Sequence, residues 1–234
     1  AAIRKQKTID EAFVVIDQAL KDRQPIVMLR ERAKLLQTYP DVAGSKRVKD
    51  ALQKAVELER SVVQVTDLDQ AAATTDLPFD PTACVIPIDH TRTRTDESAS
   101  GRYVYAVAHD ACFAVDVVTG ETAWRCLTGG GSSFFPILMA GAQPGLLVGE
   151  SQPPALALHH AETGALIWRQ TLPAPILGAP LIHEGELFLA AEGHKLYRLD
   201  GDTGRLKEEA EFSQNLVGPP AVSPGGDHLI VAGE

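Results

Sequence analysis

The stretch that decides the fold is Asp116-Val-Val-Thr119-Gly120-Glu-Thr-Ala-Trp124. Its outline returns as His160-x-x-Thr163-Gly164-x-x-x-Trp168 and again as Asp200-x-x-Thr203-Gly204. The Thr-Gly pairs lie 44 and then 40 residues apart, which is a period typical of propeller blades. Each copy lies between two alternating apolar runs, so the sequence encodes the same unit of strand, tight turn and strand three times.

Four short strands can be placed in each of the three complete repeats. The predicted strands are 83–88, 103–108, 112–116 and 122–127 in the first repeat, 134–139, 146–149, 155–159 and 165–170 in the second, and 179–182, 186–191, 194–199 and 205–211 in the third. The sequence therefore predicts a mainly β chain with an incomplete β-propeller of about three and a half four-stranded blades. The predicted blades are 81–131, 132–177, 178–215 and the start of a fourth at 216–234.

The repeated residues have structural reasons to recur. Glycine supplies the positive φ that the turn between the last two strands needs, and Asp116 or Asp200 can accept hydrogen bonds from the turn backbone. Trp124 and Trp168 lie on the outermost strand, where an indole can pack onto the neighbouring blade. The alternatives are a ligand contact for the acids and a carbohydrate platform for the indoles. We interpret the following residues as a structural repeat motif, with no catalytic, cofactor-binding or metal-binding role: Asp116, Thr119, Gly120, Trp124, Thr163, Gly164, Trp168, Asp200, Thr203 and Gly204.

The chain before the repeats reads as helical. Apolar residues recur with helical spacing from Thr8 to Leu20, with Thr8 as the expected N-cap. A second helix is predicted from Ile26 to Thr38, and a third from Ser45 to near Thr66. Residues 1–66 are thus predicted to form a small bundle of about three helices, and the segment 67–80, which lacks periodicity, to be a linker.

Composition limits the classes of function. The 234 residues are 44% apolar and 23% charged, as in an ordinary soluble globular protein. A net charge of −9 opposes binding to nucleic acid, which requires a basic surface. The chain lacks an initiating Met, a signal peptide and a long apolar span. We expect it to be a piece of a longer protein with further blades after Glu234, and any membrane anchor to lie outside this segment; the alternative is self-association through open blade edges.

The three cysteines, Cys84, Cys112 and Cys126, are spaced by 28 and 14 residues. This spacing fits neither a Cys-x-x-Cys metal site nor a dense disulfide framework. We interpret them as small buried apolar residues on strands. A disulfide between Cys112 and Cys126 is the alternative, because these residues lie on consecutive strands around the Thr119-Gly120 turn. Their disulfide state stays open at this point.

A longer version of the first phrase, Ala114-Val-Asp116-Val-Val-Thr119-Gly120-Glu-Thr-Ala-Trp124, resembles the tryptophan-docking motif of quinoprotein, or PQQ-like, β-propeller repeats. The resemblance covers about residues 81 to 234. The second copy departs from the motif with Leu158 and His160 at the Ala and Asp positions. The third has Arg198 and Glu208 in place of Ala and Trp. The resemblance implies a bacterial propeller protein of the periplasm or cell envelope.

Quinoprotein dehydrogenases of this family would imply pyrroloquinoline quinone, calcium, a catalytic Asp and a disulfide between adjacent cysteines. This chain has no Cys-Cys pair and no oxygen ligands at calcium spacing. The neighbours His159 and His160 would point to opposite faces of a strand, and we interpret them as surface residues. The glycines at 129–131 lack the Lys and helix of a phosphate-binding loop. We therefore expect neither an enzyme nor a bound cofactor.

Non-catalytic members of the family act as docking surfaces, and the resemblance implies the same here. The predicted function is a protein-interaction scaffold whose unidentified protein partner binds loops such as 89–101 and 143–154. Two alternatives remain: a propeller that binds carbohydrate or a small ligand, and a fragment of a quinoprotein dehydrogenase that uses pyrroloquinoline quinone and calcium.

Overall fold

The computed structural model describes residues 2–74, 102–129, 132–140 and 144–234. The chain divides into two compact units. The first, called here the helical unit, comprises Ala1–Val65, Ala210–Asn215 and Gly233–Glu234. The second, the sheet unit, comprises Thr66–Glu209 and Leu216–Ala232.

The helical unit contains the predicted three helices, α1 (Ala2–Lys21), α2 (Pro25–Thr38) and α3 (Lys46–Val62), with a short 3-10 helix at Pro40–Val42. Pro25 occupies the first turn of α2, where its missing N–H costs nothing. One face of each helix is buried in a shared core, because apolar residues recur with helical spacing. That core consists of Phe13, Ile16, Ala19, Met28, Leu35, Val48, Ala51 and Ala55.

Two predicted helix boundaries are wrong. Thr8 does not cap α1, since the helix begins at Ala2 and the Thr8 hydroxyl donates to the Arg4 carbonyl within it at 3.1 Å. The Ala, Arg, Lys and Gln residues before Thr8 are good helix formers and extend the helix without that cap. α3 ends at Val62, and a strand, β1, occupies Gln64–Gln70, where consecutive β-branched residues favour extended backbone.

A buried carboxylate ties α3 to the segment 210–215 within the helical unit. Glu59 is 7% exposed, and its Oε1 accepts a hydrogen bond from the Ser213 backbone N–H at 2.9 Å. The Ser213 hydroxyl donates to the other carboxylate oxygen, Oε2. Burial of a charged group is tolerated when both oxygens are hydrogen-bonded. Glu59 is therefore a structural anchor.

We predict that Glu59→Ala lowers the free energy of unfolding of the helical unit by about 2–3 kcal/mol, because it removes the two hydrogen bonds that the buried carboxylate accepts from Ser213. Glu57→Ala is the matched control, since Glu57 lies on the exposed face of the same helix and accepts a surface bond from Gln53. The control should change this free energy by less than about 0.5 kcal/mol. Urea unfolding followed by circular dichroism at 222 nm measures both; equal losses would show that Glu59 is not an anchor.

The sheet unit is built from antiparallel sheets, as predicted for a partial propeller. Strands β2 (Tyr103–Ala108), β3 (Ala111–Asp116) and β4 (Thr122–Leu127) form the described part of the first sheet; β5 (Ile137–Met139), β6 (Gly145–Ser151), β7 (Pro154–His160) and β8 (Leu166–Thr171) form the second; β9 (Leu181–His183), β10 (Glu186–Ala191), β11 (Lys195–Asp200) and β12 (Leu206–Glu211) belong to the third; β13 (Ala221–Val222) and β14 (Leu229–Ile230) pair as a fourth. The mainly β class with an α N-terminal segment is confirmed. The predicted strand 83–88 lies outside the described residues.

Consecutive sheets pack face to face through alternating apolar residues. Cys112, Ala114 and Trp124 of the first sheet pack with Leu146 and Val148 of the second. A larger cluster joins the second sheet to the third and includes Leu147, Leu158, Trp168, Leu187, Leu189 and Leu199. Because side chains alternate between the two faces of a strand, β6 supplies Leu146 to one cluster and Leu147 to the other. This arrangement makes each sheet a blade.

The third sheet has a fifth strand that the sequence did not predict. β1 lies beside β12, so the strand order is β1-β12-β11-β10-β9. Further along, Ala73 exchanges two backbone hydrogen bonds with Arg169, at 2.8 and 2.7 Å. The segment predicted as a linker from residue 67 thus contains the end of β1, up to Gln70, and an isolated bridge at Ala73, and residues 75–101 lie outside the described part. Pairing with β1 satisfies the backbone groups that β12 would leave open at the edge of the sheet. Most residues of β1 are exposed, so its sequence shows no alternation of apolar and polar residues.

Candidate functional site

The turn acids hold their own turns. Asp116 Oδ1 accepts hydrogen bonds from the N–H groups of Val118 and Thr119, at 2.9 and 3.3 Å. Asp200 Oδ1 accepts in the same way from Thr203 at 3.0 Å. In the second copy, the ring of His160 replaces the carboxylate and accepts from the Glu162 N–H at 3.3 Å. One oxygen of each acid thus holds the turn backbone, while the other pairs with a basic side chain, Arg102 for Asp116 and Lys207 for Asp200.

Each docking tryptophan lies on the Thr-Gly turn of the following sheet. Trp124 donates its Nε1–H to the Ala161 carbonyl at 2.9 Å, and Trp168 donates to the Gly201 carbonyl at 3.2 Å. The indole of Trp124 lies so close to Gly164 that an added Cβ would be 2.6 Å from the ring. Gly204 stands in the same relation to Trp168. The motif glycine thus has a second role besides its positive φ. Because it has no side chain, the indole of the preceding blade can pack against its backbone.

The third sheet replaces this apolar contact with charge. Glu208 stands at the Trp position and pairs with Arg198, which also contacts Glu186 at 2.9 Å. Lys207 lies 2.7 Å from Glu186 and 2.8 Å from Asp200. We call the following linked residues the third-sheet charge cluster: Glu186, Arg198, Asp200, Lys207 and Glu208. Lys195 and Glu209 form a separate ion pair on the same sheet. Sequence reasoning noted the two substitutions but missed this network, whose signal is the run of acids and bases from Arg205 to Glu209.

The segment that connects β4 to β5 forms a fixed surface, which we call the crossing edge: His109, Asp110, the described residues of 127–136, Gln152 and Pro153. Thr128 donates its N–H to the Asp110 carbonyl at 2.6 Å and accepts from the Ser151 N–H at 3.0 Å. The Ser151 hydroxyl donates to the Gly129 carbonyl at 2.5 Å. These bonds tie the crossing segment to both neighbouring turns.

Two successive phenylalanines on the crossing edge have opposite environments. Phe134 is buried, and its ring fills the space where Gly149 has no side chain; a Cβ there would be 2.6 Å from the ring. Phe135 is 81% exposed. The Ser132 hydroxyl donates to the Phe134 carbonyl at 2.7 Å, so the backbone that leads into Phe135 is held in place. Leu127, 48% exposed, lies on the same edge.

One of the two docking loops predicted from sequence is not a loop. Most of 143–154 is not a loop, because Gly145–Ser151 is strand β6 and Pro154 begins β7. Leu146, Leu147 and Val148 are buried, which excludes them from a binding surface. The other predicted loop, 89–101, lies outside the described residues.

The surface prediction is wrong for His159, whereas the prediction of a buried cysteine on a strand agrees with Cys112 on β3. His159 is buried rather than at the surface; its ring stacks on Trp124 with centroids 6.3 Å apart, and Nδ1 lies 3.0 Å from the Gly164 carbonyl. Cys112 and Cys126 are free thiols, and Cys84 lies outside the described residues. Among the described residues, no group of three acids, histidines or cysteines can hold a metal ion. No described helix is both long and apolar enough to span a membrane.

Comparison with known proteins gives a family match and a structural likeness. The PQQ_2 family model, described as outer membrane protein assembly factor BamB, matches residues 104–233. Among solved structures, the chain is similar to BamB from Moraxella catarrhalis, with 21% sequence identity and a TM-score of 0.38. That match covers 46% of this chain and only 37% of the Moraxella chain. No curated protein matches.

We predict that Gly164→Ala destabilises the sheet unit more than Gly120→Ala does. Both glycines have positive φ, 71° and 72°, so each substitution costs about 1–2 kcal/mol in backbone strain. Only at Gly164 does the new Cβ meet an indole, which adds about 1–3 kcal/mol of overpacking. Urea unfolding followed by tryptophan fluorescence measures the difference. Equal losses for the two variants would contradict the docking role of Gly164.

A second prediction concerns acid stability. A hydrogen bond from Lys207 is the main cause that lowers the pKa of Asp200 from 3.8 to about 2. Because the folded pKa lies below the unfolded one, this contribution is complete above about pH 4 and is lost as the pH falls towards 2. Asp200→Asn should lower the free energy of unfolding by about 1–2 kcal/mol at pH 7 and by almost nothing at pH 2. Asp202→Asn, at an exposed neighbouring residue, is the control. Urea titrations at both pH values measure the free energy of unfolding of each variant. A loss for Asp200→Asn that is equal at pH 7 and pH 2 would contradict the prediction.

Proposed function

Because the chain belongs to the PQQ_2 family, described as outer membrane protein assembly factor BamB, we propose that it is a non-catalytic protein-interaction scaffold. Its crossing edge is the surface that a protein partner binds. The partner is a protein that takes part in outer membrane protein assembly, as the family description implies, and the site of action is the periplasm or cell envelope.

The use of the motif residues supports a role without catalysis. The indoles of Trp124 and Trp168 are occupied by contacts with the following sheet, and both donate their N–H to protein carbonyls. The carboxylates of Asp116 and Asp200 are occupied by their turns. Residues committed to packing and turn formation contribute rigidity, and a rigid support reduces the entropy lost when a partner binds.

The observation that carries the proposal is the exposure of Phe135 on a fixed backbone. Aromatic side chains are enriched among the residues that dominate binding energy in protein interfaces. Phe135 is 81% exposed, while the adjacent Phe134 and Ser132 hold its backbone in place. Leu127, at the end of β4 where the crossing edge begins, is a second exposed apolar side chain. An apolar pocket on the partner is the complementary feature.

Charge indicates what surrounds that pocket. The chain carries a net charge of −9, and long-range attraction favours partners of opposite sign. We therefore propose a partner surface with an apolar pocket and a basic rim. Association should be slower at high salt, because salt screens exposed charges beyond about 10 Å.

We predict that a photo-crosslinking amino acid at position 135 captures a protein of outer membrane assembly in cells, whereas one at position 118 does not. Val118 is the matched control: it is 85% exposed but lies in the turn between β3 and β4, at the other end of these strands. With the captured partner purified, Phe135→Ser should weaken binding by about tenfold or more, since an anchor residue contributes about 2 kcal/mol.

Val118→Ser should leave the affinity within about twofold, because a single exposed side chain away from the interface contributes little. Equal capture from both positions would show that the crossing edge is not the docking surface. If position 135 captures no protein while the intact chain binds glycans, the carbohydrate-binding alternative replaces the scaffold.

A further inference from the structure

Two free thiols face each other across the first sheet. Cys112 on β3 and Cys126 on β4 are direct register partners. Opposite residues in an antiparallel pair project to the same face of the sheet, and both cysteines belong to the cluster that packs against Leu146 and Val148. Opposite Cα atoms lie about 4.5–5.5 Å apart in such a pair, which is within the range of about 4.4–6.8 Å that a disulfide spans.

We propose that Cys112 and Cys126 are a redox-active dithiol that is oxidised to an intramolecular cross-strand disulfide. The oxidant is a disulfide of a small thiol, of the oxidised glutathione class. This modification site is separate from the crossing edge and does not rest on the scaffold function. The third cysteine, Cys84, takes no part in it.

The environments of the two thiols set the order of reaction. Cys112 is 0% exposed, whereas Cys126 is only partly buried, so a small oxidant reaches Cys126 first. A hydrogen bond with Cys112 lowers the pKa of Cys126, burial opposes this, and the contact with His159 lowers the pKa further. The same hydrogen bond and burial raise the pKa of Cys112. Cys126 is therefore the attacking thiolate and Cys112 the resolving thiol.

The exchange balances in two steps. The Cys126 thiolate attacks one sulfur of oxidised glutathione; the oxidant's S–S bond breaks, a mixed disulfide forms on Cys126, and the first glutathione leaves as a thiolate. Cys112 then gives its proton to that leaving thiolate, and its sulfur attacks the Cys126 sulfur. The second glutathione leaves as a thiolate and takes up a proton from water. This proton balances the one that the Cys126 thiol released to water when it ionised. The two cysteines lose two electrons, and the oxidant gains them.

The disulfide would close the hairpin that contains the Thr119-Gly120 turn. Trp124 lies on β4 two residues before Cys126, on the same face of the strand. Oxidation would therefore fix the strand pair that presents the docking indole to the second sheet. Reduction leaves that hairpin held by its hydrogen bonds and packing alone.

Peptide mapping of the full chain tests the proposal directly, because trypsin cuts after Arg102, Arg125 and Arg169. The reduced protein is treated with oxidised glutathione, alkylated, digested and analysed by mass spectrometry. Peptides 103–125 and 126–169 should be joined, and dithiothreitol should release them. The Cys84→Ser variant should give the same product. A disulfide to peptide 61–92, glutathione that stays on Cys126, or two unmodified thiols would each overturn the proposal.

Two variants test the order of the steps. Cys112→Ser should accumulate the mixed disulfide on Cys126, and Cys126→Ser should leave Cys112 unreacted. His159→Phe keeps a ring beside Trp124 but removes the contact that favours the thiolate, so iodoacetamide should alkylate Cys126 about tenfold more slowly at pH 7. The neighbouring variant, His160→Phe, should react at the original rate. If both histidine variants react equally fast, His159 does not activate Cys126 and the proposed order is wrong.

Discussion

The constraint on which the sheet unit depends is the absence of a Cβ beneath each docking indole. Trp124 and Trp168 reach the backbone of the next turn only because Gly164 and Gly204 carry no side chain. The indole N–H then finds a carbonyl partner in the same turn, which a buried Trp requires. The second sheet therefore supplies Gly164 to the indole of the first sheet and Trp168 to the glycine of the third, so the contact couples consecutive blades.

The third sheet shows what happens when one half of that contact is lost. Glu208 cannot dock as an indole does, and Arg198, at the position that Ala114 holds in the first repeat, forms an ion pair with it. Glu208 is only partly exposed, and the two substitutions compensate each other as an ion pair. Neighbouring charges extend the pair into the third-sheet charge cluster. The indole contact that joins the first three sheets is thus replaced by ion pairs on the third sheet. The described part of the fourth sheet, which follows it, has only two short strands.

The sequence predicted the elements whose signal is local. The strands Tyr103–Ala108 and Glu186–Ala191 have the predicted bounds, because alternation and turn residues mark them directly. β1 was missed, since its pairing depends on the open edge of β12, far along the chain. The burial of His159 was missed for a similar reason. Alternation indicates which side of the strand a residue faces, but not that Trp124 of the first sheet packs against that side. At the candidate site, the sequence indicated the motif positions. It could not indicate that Phe135 is exposed, because this depends on how the neighbouring residues pack.

The pleat of β4 explains how one short strand serves three purposes. Trp124 and Cys126 lie two residues apart and share the face that packs on the second sheet, as the period of two requires. Leu127 falls on the alternate position and is half exposed at the start of the crossing edge. Blade docking and the proposed thiol chemistry therefore occupy one face, while the proposed partner surface begins at the end of the strand. Because these surfaces are distinct, substitution of Phe135 tests docking without disturbing the thiols, and oxidation of the thiols tests the hairpin without removing the anchor.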